Sequence, residues 1–475
     1  MMIKKGKNTA AKAGIGYTVG NILVKGINFV SLPFFSRLMT TDQFGVYNVF
    51  VSYEAILYLI IGFAMHSSLR TANLEYKGKI DEFTSSISIV YILSTAVMLG
   101  IVLAFGQWLE PLLGFSTPIL VFLVIYSFGS AVLVLYNNRI SIDYEYKIFL
   151  LISVINSVGN ILLSLALMFT VCSEKRDLGR ILGVTITMFA IAVVLLISLF
   201  RRARPRVNKK YWKFSFLYSI PIVPHGVSQV LLGQFDRIMI RNIVSDSAAG
   251  IYSLAGNIKL ILTIITTSIA TAWGNWFYEQ MEKNDIEKIK KYAVLITAMF
   301  TVLCVGMMGI SPELIFVLGG KEYDAGKYVA IPMIVDAVIL FIYNVIVQSE
   351  YYKKKTVNIM IGTIVAAVID IVLNVVFIPM YGFVAAAYTT LFAYICYLIL
   401  HLVISYRLVK FSVLPAKWLT LFISIVTVNA FLDIVFIEVI WLRWLICLAF
   451  AVPITAILAV NYLKDRKNKA KPSNK

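Results

Sequence analysis

The sequence predicts an all-α, polytopic membrane protein of about fourteen transmembrane helices. They form two pseudo-symmetric six-helix lobes followed by two further helices. Three observations predict this class. The chain is 60% hydrophobic and only 14% charged over 475 residues, where a soluble protein carries roughly 25% charged residues. Its apolar residues gather in runs long enough to cross a bilayer. Finally, two segments about 205 residues apart repeat one another.

The expected spans in the first half are 13–36, 43–65, 84–106, 118–138, 148–172 and 178–200. In the second half they are 214–240, 248–277, 292–310, 328–349, 356–378, 382–406, 416–437 and 441–463. The N-terminal MMIKKGKNTAAKAG has the charge of a signal n-region, but no small-residue cleavage site follows, so the first run reads as a retained helix. With the N-terminus inside, Lys and Arg favour the inner loops by about four to one, and both termini face the cytoplasm. The expected domains are an N-lobe at 1–200, a basic cytoplasmic linker at 201–213, a C-lobe at 214–406, and helices thirteen and fourteen with a basic tail at 407–475.

The net charge of +18 excludes little by itself. Because the basic residues lie in short loops between apolar runs, they read as positive-inside signals and not as a nucleic-acid surface. Cys172, Cys304, Cys396 and Cys447 stand singly, and His66, His225 and His401 are far apart. Neither set has metal or redox spacing. No zinc-protease helix, nucleophile elbow or P-loop is present, so no catalytic residue, metal or cofactor is expected. GIGYTVG, at Gly14 to Gly20, has the wrong spacing for a dinucleotide fingerprint and reads as close helix packing through small residues.

The repeat pairs FGVYNVFVSYEAI (Phe44 to Ile56) with AGIYSLAGNIKLI (Ala249 to Ile261), matching Gly45 with Gly250 and Tyr47 with Tyr252. Asn160 matches Asn374, and DYEYK at Asp143 resembles EYYKK at Glu350. Copies of the same orientation imply lobes related by an axis along the membrane normal, an arrangement typical of alternating-access transporters.

Charges inside the spans supply the candidate site. Lys25 and Glu54 each lie twelve residues from the outer end of their helix, about 18 Å deep. They either lock a hairpin of the first two helices or line a cavity. Through the repeat, Lys259 falls at the level of Glu54, with no carboxylate at that depth on the seventh helix. If all three face one gap, the local charge is +1, which favours an anionic, phosphate-bearing substrate; the alternative for Lys259 is snorkelling to an interface. Pro221, Pro224 and Gly226 should bend the seventh helix, with His225 at the bend as a proton relay or a packed neutral ring. Arg37, Arg237 and Arg241 lie near the outer face, where Asp236 is expected to neutralise one of them. Asp336 and Asp370 either carry a coupling cation or proton or hydrogen-bond to water and Asn374.

SRLMTTDQFGVYNVF, FDRIMIRNIVSDSAAGIYSLAGNI, LGGKEYDAG and LNVVFIPMYGFVAAAYTT together resemble the polysaccharide biosynthesis membrane proteins. These are the repeat-unit (Wzx-type) flippases of the multidrug/oligosaccharidyl-lipid/polysaccharide exporter superfamily. The resemblance implies a two-lobe fold whose central cavity is lined by helices one, two, seven and eight, which carry Lys25, Glu54, His225 and Lys259. It implies translocation of polyprenyl-pyrophosphate-linked oligosaccharide across a bacterial cytoplasmic membrane, driven by a cation or by protons, for O-antigen, capsule or exopolysaccharide. The implied partners are that lipid-linked sugar, membrane lipids and polysaccharide polymerase machinery. Many relatives have twelve helices, and helices thirteen and fourteen are expected either to form a lipid groove or to be packing additions. Two rivals remain: an organic-cation antiporter of the same superfamily, and a membrane polymerase or glycosyltransferase. The second should carry a sizeable outer loop with catalytic groups, and the largest here, about Ser311 to Lys327, has no evident catalytic pair.

Overall fold

A computed structural model describes residues 2–470, with side-chain environments for residues 14 and 16–456. Among the described residues, seventeen α-helices and two short 3-10 turns make up the regular structure. In order they are α1 (Met2–Leu38), α2 (Thr41–Gly62), α3 (Leu69–Glu75), α4 (Ile80–Leu113), α5 (Thr117–Ile142), α6 (Tyr146–Phe169), α7 (Arg176–Arg202), α8 (Lys209–Ser219) and α9 (Ile222–Ile243). There follow α10 (Asp246–Glu282), α11 (Ile286–Gly319), α12 (Lys327–Ile346), α13 (Gln348–Tyr352), α14 (Thr356–Tyr381), α15 (Val384–Val409), α16 (Ala416–Val435) and α17 (Ile440–Ala470).

By length and apolar composition, twelve helices can cross a membrane, and the pair α8–α9 makes a thirteenth span bent by 47°. The apolar part of α17 is described only as far as Ala456. The expected fourteenth span, 441–463, lies within α17, with side-chain environments described as far as Ala456, and the tail beyond Ala470 lies outside the described residues. The bend in α8–α9 sits at Ile220 and Pro221, where the proline has no N–H to continue the helical ladder. The segment expected as an outer loop after Ser311 is instead the last two turns of α11 and a 3-10 turn, Lys321–Gly326.

The chain divides into two compact units, Met1–Gly250 and Ile251–Lys475. In the first, α7 packs on α5 and α6, and α2 packs on α5 and α9. A capping box starts α2: Thr40 Oγ1 accepts from Gln43 N–H and Gln43 Oε1 accepts from Thr40 N–H, each at 3.3 Å. The expected close pairing of the first two helices is replaced by α1 on α6. The glycine run explains why, since a Cβ on Gly16 would lie 2.2 Å from the Tyr146 ring and one on Gly20 2.7 Å from Leu150. The small residues of GIGYTVG thus select α6 as the neighbour.

The repeated glycines meet each other. A Cβ on Gly45 would lie 1.9 Å from the Asp246 carbonyl oxygen, and one on Gly250 2.1 Å from the Thr41 carbonyl oxygen. Ser247 Oγ donates to Thr41 Oγ1 beside them at 2.7 Å. The N-terminal turns of α2 and α10 therefore touch backbone to backbone, a contact that only glycine permits.

In the second unit α12 is the core helix, buried along nearly its whole length and packed against α11, α15 and α16. The two C-terminal helices belong to this unit and are clamped to α11. Arg443 on α17 pairs with Glu313 and donates to the Gly309 carbonyl, and Cys447 Sγ donates to the Val305 carbonyl at 3.2 Å. Lys327 at the start of α12 reaches Asp324 and Glu438, both at 2.7 Å. These contacts favour the packing role over the groove. An apolar groove of about 570 Å³ lies between α14 and α15 and is lined by Leu373, Phe377, Tyr381, Tyr388 and Phe392.

Replacing Gly45 or Gly250 with alanine forces Cβ into backbone and is expected to cost at least about 1–3 kcal/mol. Gly233→Ala, where a Cβ meets open space, is expected to leave the melting temperature unchanged or raised. Thermal unfolding of the detergent-solubilised protein, read by size-exclusion chromatography, checks both.

Candidate functional site

In the first unit Lys25 is half-buried on α1 and Glu54 is buried on α2. No ion pair joins them among the described residues, because α1 leans on α6. Glu54 accepts a hydrogen bond from Ser130 on α5. Among the described residues no carboxylate is recorded within ion-pair distance of Lys25. His225 is half-buried beyond the helix break, next to Gly226, which rests on Leu59 of α2. Its Nδ1 is buried and meets no hydrogen-bond partner.

Near the outer end, Asp236 is buried on α9, with Arg37 exposed and Arg237 half-buried. Arg241 is held by Asp246 at 2.6 Å, donates to the Gly114 carbonyl at 2.7 Å and lies 4.2 Å over the Phe115 ring. Its counter-ion is therefore Asp246, one helix turn on at the start of α10, and not Asp236.

Arg180 is a residue that sequence reasoning missed. It lies inside α7, near the start of that helix, and is only 8% exposed. Its guanidinium sits 3.7 Å over the Phe35 ring and 5.1 Å from the Tyr47 ring. It donates to Ser164 Oγ at 2.9 Å and to the Asn160 carbonyl at 3.3 Å, while Nε is buried without a partner. No carboxylate pairs with it among the described residues. Aromatic faces and neutral oxygens soften a buried cation's cost without cancelling its charge. The available signal was the basic residue falling two positions inside an expected span.

In the second unit Lys259 is not the unmatched cation that the repeat implied. Its Nζ lies 2.6 Å from Asp336 Oδ1 on α12, and Asp336 is 1% exposed. The Lys259 ammonium also lies 5.0 Å from the Tyr394 ring centre. The seventh helix offers no carboxylate at this level, but α12 does, so Lys259 adds no net charge and the +1 count is withdrawn. Asp370 on α14 accepts from Thr390 Oγ1 at 3.1 Å, and Asn374 one turn later accepts from Thr389 at 2.5 Å. Both are fully buried. Among the described residues no group of three or more His, Cys, Asp and Glu is placed to hold a metal ion.

The first unit therefore presents two basic side chains, Lys25 and Arg180, with no carboxylate partner among the described residues, whereas the second keeps its lysine neutralised. Asp336→Asn leaves a lysine without its carboxylate and is expected to destabilise the protein by about 3–5 kcal/mol. The double replacement Lys259→Met with Asp336→Leu is expected to cost clearly less, as read from thermal unfolding in detergent.

Comparison with known proteins bears on this arrangement. The family described as polysaccharide biosynthesis protein matches residues 10–281. The probable low-salt glycan biosynthesis flippase Agl15 of Haloferax volcanii is 21% identical over 425 residues, covering 86% of this chain and 87% of that protein. The capsular polysaccharide biosynthesis protein CapF of Staphylococcus aureus is 25% identical over 385 residues, covering 78% of this chain and 93% of its own. Among solved structures, the lipid II flippase MurJ in an inward closed conformation superposes with a TM-score of 0.74 at 15% identity, covering 94% of this chain and all of that one. An inward-facing multidrug resistance MATE transporter of the MOP superfamily gives 0.65 at 13% identity, covering 84% of this chain and 99% of the other. At these identities the structural matches establish the fold alone.

Proposed function

Because the chain belongs to the polysaccharide biosynthesis protein family, whose pattern runs through more than half of its length, we propose that it flips undecaprenyl-pyrophosphate-linked oligosaccharide repeat units across the cytoplasmic membrane. The sugars are destined for a surface polysaccharide, and polymerase machinery receives them on the far side. Both termini face the cytoplasm, as the loop charges require. The fold it shares with MurJ and MATE transporters supports alternating access as the mechanism.

The observation that carries the reading is the pair of uncompensated cations, Lys25 and Arg180. A lysine at mid-membrane costs about 2.5–3.5 kcal/mol, and a phosphate group is the counter-ion that repays it, accepting charge-assisted hydrogen bonds from either side chain. Lys25 first attracts the pyrophosphate, and Arg180, nearer the outer end, receives it on the way out. In the first unit His225, beyond the helix break, lines the sugar's path, with Arg37, Arg237 and Arg241 at the outer rim. Among the carboxylates singled out from the sequence, Glu54, Asp236, Asp336 and Asp370 are candidates to carry a coupling cation or proton.

Lys25→Ala and Arg180→Gln are each expected to reduce surface polysaccharide at least about tenfold, one lost charge-assisted contact being worth about 1.5–3 kcal/mol, with unchanged protein in the membrane fraction. Normal polysaccharide in both variants at normal expression would overturn the assignment.

One observation favours a second reading, that of an organic-cation antiporter: Glu54 is a buried carboxylate with no cation partner recorded among the described residues. Efflux of a cationic dye, abolished by Glu54→Gln and unaffected by Lys25→Ala, would select it.

A further inference from the structure

The second unit holds a buried acid–base pair that the flipping reading does not use. Glu350 on α13 and His401 on α15 are both fully buried, with His401 Nδ1 2.6 Å from Glu350 Oε1. The remaining polar atoms of the pair, His401 Nε2 and Glu350 Oε2, are also buried and meet no hydrogen-bond partner. Gly362 on α14 makes room for the imidazole, since a Cβ there would lie 2.4 Å from Nε2. The rings of Tyr343 and Tyr397 pack edge-on against His401 at 5.0 and 4.6 Å. Their hydroxyls are engaged with each other at 2.7 Å, and Thr363 Oγ1 lies 3.1 Å from that of Tyr397. One residue away, Ser349 donates to Ser405 at 2.7 Å and ties α13 to α15.

The titratable groups facing the pair are the phenols of Tyr343, Tyr351 and Tyr397, all of which feel the charge of Glu350. From α14 come Gly362 and Thr363, neither of which titrates near neutrality. Among the described residues the ion pair recorded for Glu350 is with His401. In so dry a site the pair is stable when it carries one proton between its members. Removing that proton leaves a lone carboxylate, and adding a second leaves a lone imidazolium, and either is an uncompensated buried charge.

The repeat shows what is special here. LYNNRISIDYEYK (Leu135 to Lys147) aligns without gaps on IYNVIVQSEYYKK (Ile342 to Lys354), pairing Tyr136 with Tyr343 and Asp143 with Glu350. In the first unit Asp143 is met by Arg139 at 2.6 Å and by Arg202 at 3.7 Å. In the second, Ile346 stands in place of Arg139 and the acid is met by histidine. A permanent cation at one copy is thus matched, at the other, by the side chain whose charge changes near neutral pH. The route to water is short. Residues 353–355 are exposed lysines, and the Lys355 N–H donates to the Glu350 carbonyl at 2.9 Å.

We propose that Glu350 and His401 form a proton-binding site, which holds one proton while α12 to α15 pack as they do here and releases it when the turn at 353–355 opens to water. Resting on the transport reading, that proton is the coupling ion of the flipping cycle. Two measurements on the full-length protein separate the claims. In the first, thermal unfolding in detergent is followed from pH 6 to pH 9. The wild-type melting temperature is expected to fall with rising pH by at least about 3 °C more than that of the double variant Glu350→Gln/His401→Gln. Gly362→Ala, which displaces the ring but keeps both ionisable groups, is expected to lose the same excess and serves if the double variant does not fold. Equal pH profiles would overturn the proton site. In the second, translocation of a polyprenyl-pyrophosphate-linked oligosaccharide in proteoliposomes is compared with and without an imposed pH gradient. The gradient is expected to change the wild-type rate severalfold and to leave the folded variant's rate unchanged. Wild-type and variant rates that respond alike would overturn the coupling role. No translocation under any condition would sink the transport reading and leave the melting profiles to decide the site.

Discussion

A charge carried into hydrocarbon must be neutralised where it lies, since neither water nor salt is there to do it. Most of the buried charges described here obey this constraint through a named partner. Arg139 binds Asp81 and Asp143, Arg443 binds Glu313, Lys259 binds Asp336, and His401 binds Glu350. Apart from Arg139 with Asp143, at the end of its own helix, each pair joins two helices, so the same contacts that neutralise charge also fix which helices are neighbours. Against this background Lys25 and Arg180 stand apart. On the proposed reading, a cation that no carboxylate meets is a place for an anion that arrives and leaves, and the buried carboxylate Glu54, met by Ser130, pairs with neither among the described residues.

The proposed flipping of a pyrophosphate-linked sugar would give these two cations a role. A polyprenyl pyrophosphate brings its own charge into the membrane, and the protein needs to meet it with cations that are not already satisfied by the chain. Permanent pairs would hold the helices but give the substrate nothing, whereas the proton site proposed at Glu350 would change the charge of the second unit as its turn at 353–355 opens. Structural ion pairs, substrate cations and a proton site are thus three uses of one electrostatic rule.

Much of the fold was legible because bilayer thickness imposes a length on every span. Each expected span overlaps helix, although α1, α4 and α11 run well beyond theirs and the seventh span is the broken pair α8–α9, and the bend at Pro221 follows from proline chemistry alone. The matched glycines of the repeat were visible too, although not that Gly45 and Gly250 touch. Partners were harder to read, because sequence gives depth along a helix but not its rotation. Lys25 and Glu54 share a depth, yet α1 faces α6. Lys259 reads as unmatched along its own repeat, because its carboxylate, Asp336, comes from α12. Arg180 was hidden by its nearness to a loop, and His401 by its distance in sequence from Glu350.

The most direct test of the central claim reconstitutes the purified protein in vesicles with a polyprenyl-pyrophosphate-linked oligosaccharide confined to one leaflet, and follows its exposure to a membrane-impermeant glycosidase. The account predicts protein-dependent appearance of the sugar in the other leaflet, slowed by Lys25→Ala and by Arg180→Gln and unaffected by a neutral replacement of the exposed Lys283. Translocation that proceeds equally well without both cations, or sugar that never crosses, would contradict it.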